Sequence, residues 1–147
     1  MHEAGHAVVA AAIGLDVEFC TIHAGLSDGR PYEGLTKLVE SERGLHMLGE
    51  NVAYIEMVIR QCWAGTLAEV MGIGASDGDW QEDMSAIADL AMRISGGPDD
   101  TNARIEELRR DTEHLLEEHW AWVSRVADSL TSETRLTGSA ILKLRPD

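Results

Sequence analysis

The sequence predicts a mainly α domain with a small β-strand element, and three observations support this fold class. Apolar residues recur at helical spacing over most of the 147-residue chain. Alternating residues of β-forming type are confined to a short region near residue 20. Glycine- and proline-rich breaks separate the helical stretches. With 44% apolar and 26% charged residues, the chain is predicted to form one domain with its own core over residues 1–147.

The first half of the chain is predicted to contain one helix and two short strands. An apolar run directly after the first histidines indicates a buried helix. Two segments rich in β-forming residues indicate the strands, and Gly25, Gly29 and Pro31 indicate a loop between them. The predicted elements are a helix over residues 2–14, a strand over 17–23, a loop over 24–33 and a strand over 34–39.

The second half is predicted to be helical. A glycine-rich turn at residues 72–78 and a Gly-Gly-Pro segment at 96–98 divide it. Asp100 or Thr101 is a suitable N-cap for a long helix, and Thr137 for a short final one. The predicted helices cover residues 44–70, 80–95, 100–130 and a short segment after 137.

The first six residues carry the motif most indicative of chemistry, His-Glu-x-x-His at His2, Glu3 and His6. Residues four apart on a helix lie on the same face, so the two imidazoles can hold one zinc ion. Glu3 lies beside them and can act on a metal-bound water, which would make the protein a peptidase. The small residues Ala4 and Gly5 would allow close packing around an ion. The alternative is a chance match among the six histidines of the chain.

A zinc hydrolase needs a third protein ligand, with the fourth position left for water. Acidic residues crowd the segment after residue 78, where Asp79 and Asp83 are four apart and would share a helix face. The alternative for these carboxylates is stabilisation of a helix N-terminus, where they complement the helix dipole. The candidate ligands are His23, His46, His114, His119, Asp79, Glu82 and Asp83.

The composition excludes several classes of partner. The formal net charge of −14 argues against nucleic acid and against an anionic membrane surface, since both attract positive patches. No apolar run approaches the roughly 20 residues that a membrane span requires. Two cysteines, Cys20 and Cys62, are too few for a disulfide framework and indicate core thiols in the reduced cytoplasm.

Several segments resemble the peptidase domain of the FtsH-type zinc metalloproteases (peptidase family M41). Residues 2–9 are similar to the motif helix of that family, and the other segments are weaker singly but occur in the same order. In the segment 62–69, Gly65, Ala68 and Glu69 fit best. The resemblance spans essentially the whole chain. The remaining segments are 21–22 followed by Gly34-Leu35-Thr36, then Gly74-Ala75-Ser76, then residues 133–138.

The resemblance implies a zinc-dependent endopeptidase acting on unfolded or extended polypeptides, with Zn2+ held by both motif histidines and an aspartate. In the family this aspartate opens the helix after the Gly-Ala turn, and small residues follow about five and eight positions on. Counting from Asp83 gives Ala88 and Ala91, a better fit than counting from Asp79. We therefore expect Asp83 as the third ligand, with Asp79 as the runner-up.

The resemblance also implies roles for residues around the metal. Glu3 would act as the general base. An extended substrate would add a strand along Gly34, Leu35 and Thr36, and Glu69 would orient a ligand imidazole. The alternative for Glu69 is an exposed acid on a helix.

The chain also departs from the family, because it contains no Gly-x-x-x-x-Gly-Lys-Ser/Thr nucleotide-binding loop and no membrane helix. Any ATP-driven unfolding would therefore require a separate ATPase partner or a missing segment. The resemblance implies a homo-oligomer, a hexamer in the family, and a monomer or dimer is the alternative. Two alternatives to the endopeptidase are a catalytically silent zinc-binding interaction or assembly module, and a plain helical assembly protein in which the motif is accidental.

Overall fold

The computed structural model describes residues 1–27, 29–39, 51–74 and 80–147. Within these ranges the protein is mainly helical with a small antiparallel sheet, as predicted. None of the described helices combines the length and the hydropathy that crossing a bilayer requires. The helices are α1 (His2–Ala12), α2 (Val52–Ile73), α3 (Gln81–Ile94), α4 (Pro98–Glu118), α5 (Trp120–Glu133) and α6 (Gly138–Lys143). The strands are β1 (Val17–Thr21), β2 (Gly25–Ser27), β3 (Arg30–Tyr32), β4 (Leu35–Leu38) and β5 (Arg135–Thr137).

Helix α1 packs along α2 and is buried over residues 4–10. It ends at Ala12, two residues before its predicted end. The two helices approach closely because only small residues meet where they cross. A Cβ added to Gly5 would lie 2.4 Å from the carbonyl oxygen of Ala64 and 2.6 Å from the Cβ of Ala68. This contact holds the histidine face of α1 against α2.

The three-stranded sheet has the order β4-β1-β5, so β1 is central and pairs antiparallel with both neighbours. Cys20 of β1 lies opposite Thr36 of β4 and Leu136 of β5. Strand β1 ends at Thr21, two residues before its predicted end. The sequence did not predict β5, because three residues are too few for an alternating pattern to be recognised.

The prediction of a loop over residues 24–33 was wrong, because β2 and β3 form a hairpin within it. Gly25 pairs with Tyr32 across the two strands. Gly29 takes the positive φ of 78° that glycine adopts without steric penalty. The turn-forming residues that indicated a loop therefore belong to a short hairpin.

The predicted continuous helix over residues 100–130 was also wrong, since α4 and α5 are separate helices that meet at His119, with φ −105° and ψ 16°. Leu116 and Trp122 are both fully buried in one core cluster. On a continuous helix, residues six apart would point about 120° away from each other around the axis. The break at His119 allows both side chains to enter the same core.

The ends of the C-terminal helices follow ordinary capping chemistry. Helix α4 begins at Pro98 rather than after an Asp100 or Thr101 cap. A proline in the first turn lacks an N–H that would have had no helical acceptor there, and its fixed φ suits the helix. Thr137 caps α6 as predicted, because its hydroxyl oxygen accepts a hydrogen bond from the N–H of Ala140 at 3.3 Å.

Helix α2 begins within the described residues after Asn51, whose side chain caps it. The predicted start at residue 44 lies outside the described residues. At its other end α2 passes the predicted boundary and continues to Ile73, where Gly74 takes a φ of 77° and donates its N–H to the carbonyl of Val70. The rest of the predicted turn over 72–78 lies outside the described residues. Helix α3 agrees with the prediction within one residue at each end.

The interior forms two core clusters that share α2 and α4. The first cluster also contains buried residues of α1 and α5, and the second also contains buried residues of α3. Cys20 lies in the first cluster and Cys62 in the second. Both thiols are free and buried, as the sequence predicted.

Replacing Trp122 with phenylalanine should lower the free energy of unfolding by about 0.5–1.5 kcal/mol more than the packing loss alone. The indole N–H of Trp122 donates to the carbonyl of Ile141 at 2.8 Å inside the core, and the variant removes this hydrogen bond while the carbonyl keeps the N–H of Leu144 at 3.2 Å. Trp63→Phe is the matched control, because the buried Trp63 N–H has no hydrogen-bond partner among the described residues. Urea unfolding of both variants measures the difference. Equal losses would contradict the stabilisation assigned to this hydrogen bond.

Candidate metal centre

The two motif histidines lie on one face of α1 and direct the same ring atom to one point. The Nε2 atoms of His2 and His6 are 2.9 Å apart. Their rings meet edge to face, with centroids 4.5 Å apart and planes at 79°. His6 is buried, and the side chain of His2 is 21% exposed. The two nitrogens therefore face each other at the rim of the core, where a third group can reach both.

That third group is the carboxylate of Asp83, in the first turn of α3. Its Oδ2 lies 3.3 Å from the Nε2 of His2 and 3.3 Å from the Nε2 of His6. Ligands at about 2.0–2.1 Å from a tetrahedral ion lie about 3.3 Å from one another. In the described part of the chain, no other three His, Cys, Asp or Glu side chains group in this way. The arrangement has the spacing of three ligands around one ion.

Gly65 of α2 forms the wall of this centre. A Cβ added there would lie 2.3 Å from the Nε2 of His6 and 2.7 Å from the Nε2 of His2. Any larger residue would therefore displace both donor atoms. Glycine inside a helix is unfavourable by about 1 kcal/mol relative to alanine. The space that the two histidine rings occupy explains why a glycine is nevertheless present at this position of α2.

The remaining ring nitrogens of the histidines face α2. The Nδ1–H of His6 donates to the backbone carbonyl of Gln61 at 2.6 Å, so in the neutral ring the Nε2 lone pair is directed into the centre. The Nδ1 of His2 is buried and lies 3.6 Å from Oε2 of Glu69, an ion-pair distance but a long one for a hydrogen bond. The side chain of Glu69 is 16% exposed, so the alternative of an exposed surface acid does not hold.

The side chain of Glu3, on α1, contacts the strand β4. Its Oε2 accepts a hydrogen bond from the hydroxyl of Thr36 at 2.8 Å. Its Oε1 would lie 2.8 Å from a Cβ added to Gly34, so the carboxylate occupies the space that this glycine leaves. Two of the three residues predicted to bind substrate, Gly34 and Thr36, therefore contact Glu3, while Leu35 pairs with Thr21 in the sheet.

Two groups of the centre, Asp83 and His6, have shifted pKa values. Burial raises the pKa of the Asp83 carboxyl, but hydrogen bonds from His2 and His6 outweigh it and hold that pKa well below its usual range. Burial also lowers the pKa of His6, but the hydrogen bond to Asp83 and the charges of Asp83 and Glu3 raise it above its usual value. Without an ion, the centre therefore favours a carboxylate paired with an imidazolium, whose proton a metal must displace.

The other residues considered as ligands lie elsewhere or outside the described residues. Asp79, the runner-up ligand, and His46 belong to the latter group. His23 is exposed just after β1, and His114 is exposed and faces Glu117 at 3.4 Å. Within the described ranges, neither these two nor His119 and Glu82 join the cluster.

Sequence reasoning assigned no role to Gly65 or Gln61, although both shape the centre. The family resemblance noted Gly65 without giving it a function. The signal that was available is the spacing on α2, because positions 61, 65 and 69 recur every four residues and so share one face. That face can be linked to α1 only when the packing of the two helices is known.

A comparison with models of known protein families finds no match for this chain, and a comparison with curated proteins finds none either. The likeness to the FtsH-type family therefore depends on the sequence segments given above. The geometry of the centre is an independent observation, because it comes from how the helices pack.

In protein stripped of divalent metal, the pairing of Asp83 with the histidines should stabilise the fold most between about pH 4 and pH 6.5. The lowered Asp83 pKa stabilises fully above the unfolded value of about 3.9, and this is lost as pH falls through the folded pKa. The raised His6 pKa stabilises fully below the unfolded value of about 6.5, and this is lost as pH rises through the folded pKa.

Urea unfolding of the parent and of Asp83→Asn in chelator, from about pH 4 to 9, should therefore differ most near pH 5–6. Glu82→Gln is the matched control, because Glu82 lies in the same helical turn but is exposed. A difference for Asp83→Asn that does not vary with pH would contradict the coupling.

Proposed function

We propose that this protein is a zinc-dependent endopeptidase that hydrolyses peptide bonds in unfolded or extended polypeptides. The observation that carries the proposal is the convergence of His2, His6 and Asp83 within 3.3 Å of one another, with the motif glutamate next to His2 in the chain. We also propose that the mainly α fold is that of an FtsH-type peptidase domain, on the strength of the matching order of the sequence segments.

Zinc fits this centre on the chemistry of its donors and on the space around them. Two imidazoles and one carboxylate form a ligand set that catalytic zinc accepts, with a fourth position left open. The wall at Gly65 leaves room on the α2 side. The Gln61 carbonyl and the Glu69 carboxylate face the outer nitrogens of the two rings, as partners that orient metal-binding histidines do.

Metal binding and proton transfer are assigned to different residues in the proposed hydrolysis. His2, His6 and Asp83 would hold the ion, which when bound acidifies water and polarises the scissile carbonyl. Glu3 takes a proton from the attacking water as its oxygen bonds to the carbonyl carbon. Glu3 then gives that proton to the amine nitrogen as the C–N bond breaks, so the base is restored at the end of the cycle.

The substrate would lie along β4. This strand is at the edge of the three-stranded sheet, and among the described residues its outer side pairs with no other strand. An extended peptide can add to such an edge through main-chain hydrogen bonds, and pockets for alternate side chains then set the preference. The substrate would pass close to Glu3, because Thr36 of β4 contacts that carboxylate.

The partners follow from the same proposal. A polypeptide is the substrate, and a separate ATPase would supply any unfolding of folded targets. A homo-oligomer, hexameric by resemblance, would group several such centres. The two buried free thiols agree with a reduced compartment such as the cytoplasm.

Glu3→Gln should retain about one zinc per chain but lower the rate of peptide cleavage by at least about a hundredfold, because the amide cannot accept the proton of water. Zinc is measured by elemental analysis, and cleavage with unfolded casein and short peptides. Glu117→Gln is the matched control, because Glu117 is an exposed acid on α4, and it should behave as the parent.

Two other outcomes of this experiment would contradict the proposal. Zinc in all three proteins with cleavage in none would replace the endopeptidase with a zinc-binding interaction or assembly module. Absence of zinc from the parent would show that the motif is accidental.

Gly65→Ala should weaken zinc binding by about tenfold or more, because the new methyl group would lie 2.3 Å from the Nε2 of His6. Gly72→Ala is the matched control on the same helix, since its Cβ would meet only the flexible Met1 side chain, 3.1 Å away, and the edge of Trp120. Competition with a chromophoric chelator measures the affinities. Equal zinc affinity in both variants would contradict the location of the centre.

A further inference from the structure

Three elements meet at the first turn of α1, directly around Glu3. The Thr36 Oγ1 of β4 lies 2.8 Å from the Oε2 of Glu3 and 3.0 Å from its backbone oxygen. The Cys20 Sγ of β1 lies 3.4 Å from the same backbone oxygen and 3.4 Å from the Thr36 Oγ1. Both the backbone and the side chain of Glu3 are therefore in contact with the sheet.

The hydroxyl and thiol protons available in this network determine which hydrogen bonds to Glu3 can form together. Thr36 has one hydroxyl proton and Cys20 one thiol proton. Burial raises the pKa of the Cys20 thiol to about 12, so the thiol keeps its proton at neutral pH and can donate it to the Glu3 backbone oxygen. The Thr36 hydroxyl then donates its hydrogen bond to the Glu3 carboxylate, which is a stronger acceptor than the backbone oxygen because it is charged.

Gly34 makes the second close contact with this carboxylate. It lies two residues before Thr36, and a Cβ at this position would come within 2.8 Å of the Oε1 of Glu3 and 2.8 Å of its Cγ. One oxygen of the carboxylate is thus hydrogen-bonded to β4, and the other rests against a position without a side chain. A glutamate has three side-chain torsions, and both contacts reduce its freedom to change them.

We propose that Thr36 is a positioning residue that holds the carboxylate of Glu3 in the one orientation in which it can act as the base. The proposal rests on the proposed function, and it adds that β4 supports the base with a side chain while offering its backbone edge to the substrate. A base must lie within hydrogen-bond reach of the proton that it removes. Loss of its support therefore lowers the rate of the chemical step more than it weakens substrate binding.

Three substitutions separate this role from a contribution to folding. Thr36→Val removes the hydroxyl and keeps the shape of the side chain, Thr36→Ala removes both the hydroxyl and the methyl group, and Thr36→Ser keeps the hydroxyl. Thr21→Val is the matched control, because Thr21 is a buried threonine of the neighbouring strand whose hydroxyl donates to the Thr134 backbone oxygen at 2.9 Å. The variant loses this hydrogen bond and the one that the hydroxyl accepts from the N–H of His23 at 3.1 Å, without touching Glu3.

The first readout is the conformation of Glu3, measured by NMR through the side-chain scalar couplings of glutamate-labelled protein, with and without zinc. We expect a single rotamer in the parent, Thr36→Ser and Thr21→Val, and averaged couplings in Thr36→Val and Thr36→Ala. Unchanged Glu3 couplings in Thr36→Val and Thr36→Ala would overturn the proposal. This measurement needs no activity, so it decides the role of Thr36 even if the parent cleaves nothing and the proposed function fails.

The second readout is kinetic, with zinc-loaded protein and a quenched fluorescent peptide. We expect Thr36→Val to lower kcat by roughly 10- to 100-fold with KM and zinc content unchanged, and Thr36→Ser to recover most of it. In a Glu3→Gln background, Thr36→Val should cause no further loss, because the group that it positions is already gone. An equal loss of kcat in Thr21→Val, or a full additional loss in the double variant, would show a structural role only and overturn the proposal.

Discussion

The close approach of α1 to α2 is the constraint on which the rest of the structure depends. At the crossing point, Gly5 leaves no space for a side chain between the two backbones, since a Cβ there would meet Ala64 and Ala68. At this separation the histidines of α1 reach the face of α2 formed by positions 61, 65 and 69. The backbone carbonyl of Gln61 accepts a hydrogen bond from His6, Gly65 leaves room for the two rings, and the carboxylate of Glu69 faces His2.

The candidate metal centre departs from several local sequence rules. A glycine lies inside α2, the Asp83 carboxylate is half-buried, and His6 is buried. Each feature is unfavourable by itself, and each becomes reasonable when the three donor atoms share one ion or one proton. The large net charge of −14 gives no hint of this, because most of the acidic residues that the structure describes are exposed.

The sequence predicted those parts of the fold and site that depend on neighbours in the chain. The helices were recognisable from their periodicity, and His2 and His6 from a spacing that a single helix turn explains. The selection of Asp83 over Asp79 came from family resemblance, and Asp79 lies outside the described residues. The hairpin formed by β2 and β3, the strand β5 and the break at His119 were not predictable, because each depends on distant partners. The same holds for Thr36, which is 33 positions from Glu3 in the chain.

The division of the interior into two clusters has a consequence for how the molecule holds together. His2 and His6 belong to α1, which packs in the first cluster, and Asp83 belongs to α3, which packs in the second. An ion bound by all three side chains would add a link between the two clusters, which otherwise connect through α2 and α4. Its binding energy would increase the cooperativity of unfolding, because neither cluster could unfold alone without releasing the ion. The same three side chains would then serve both the chemistry and the cooperative folding of the domain.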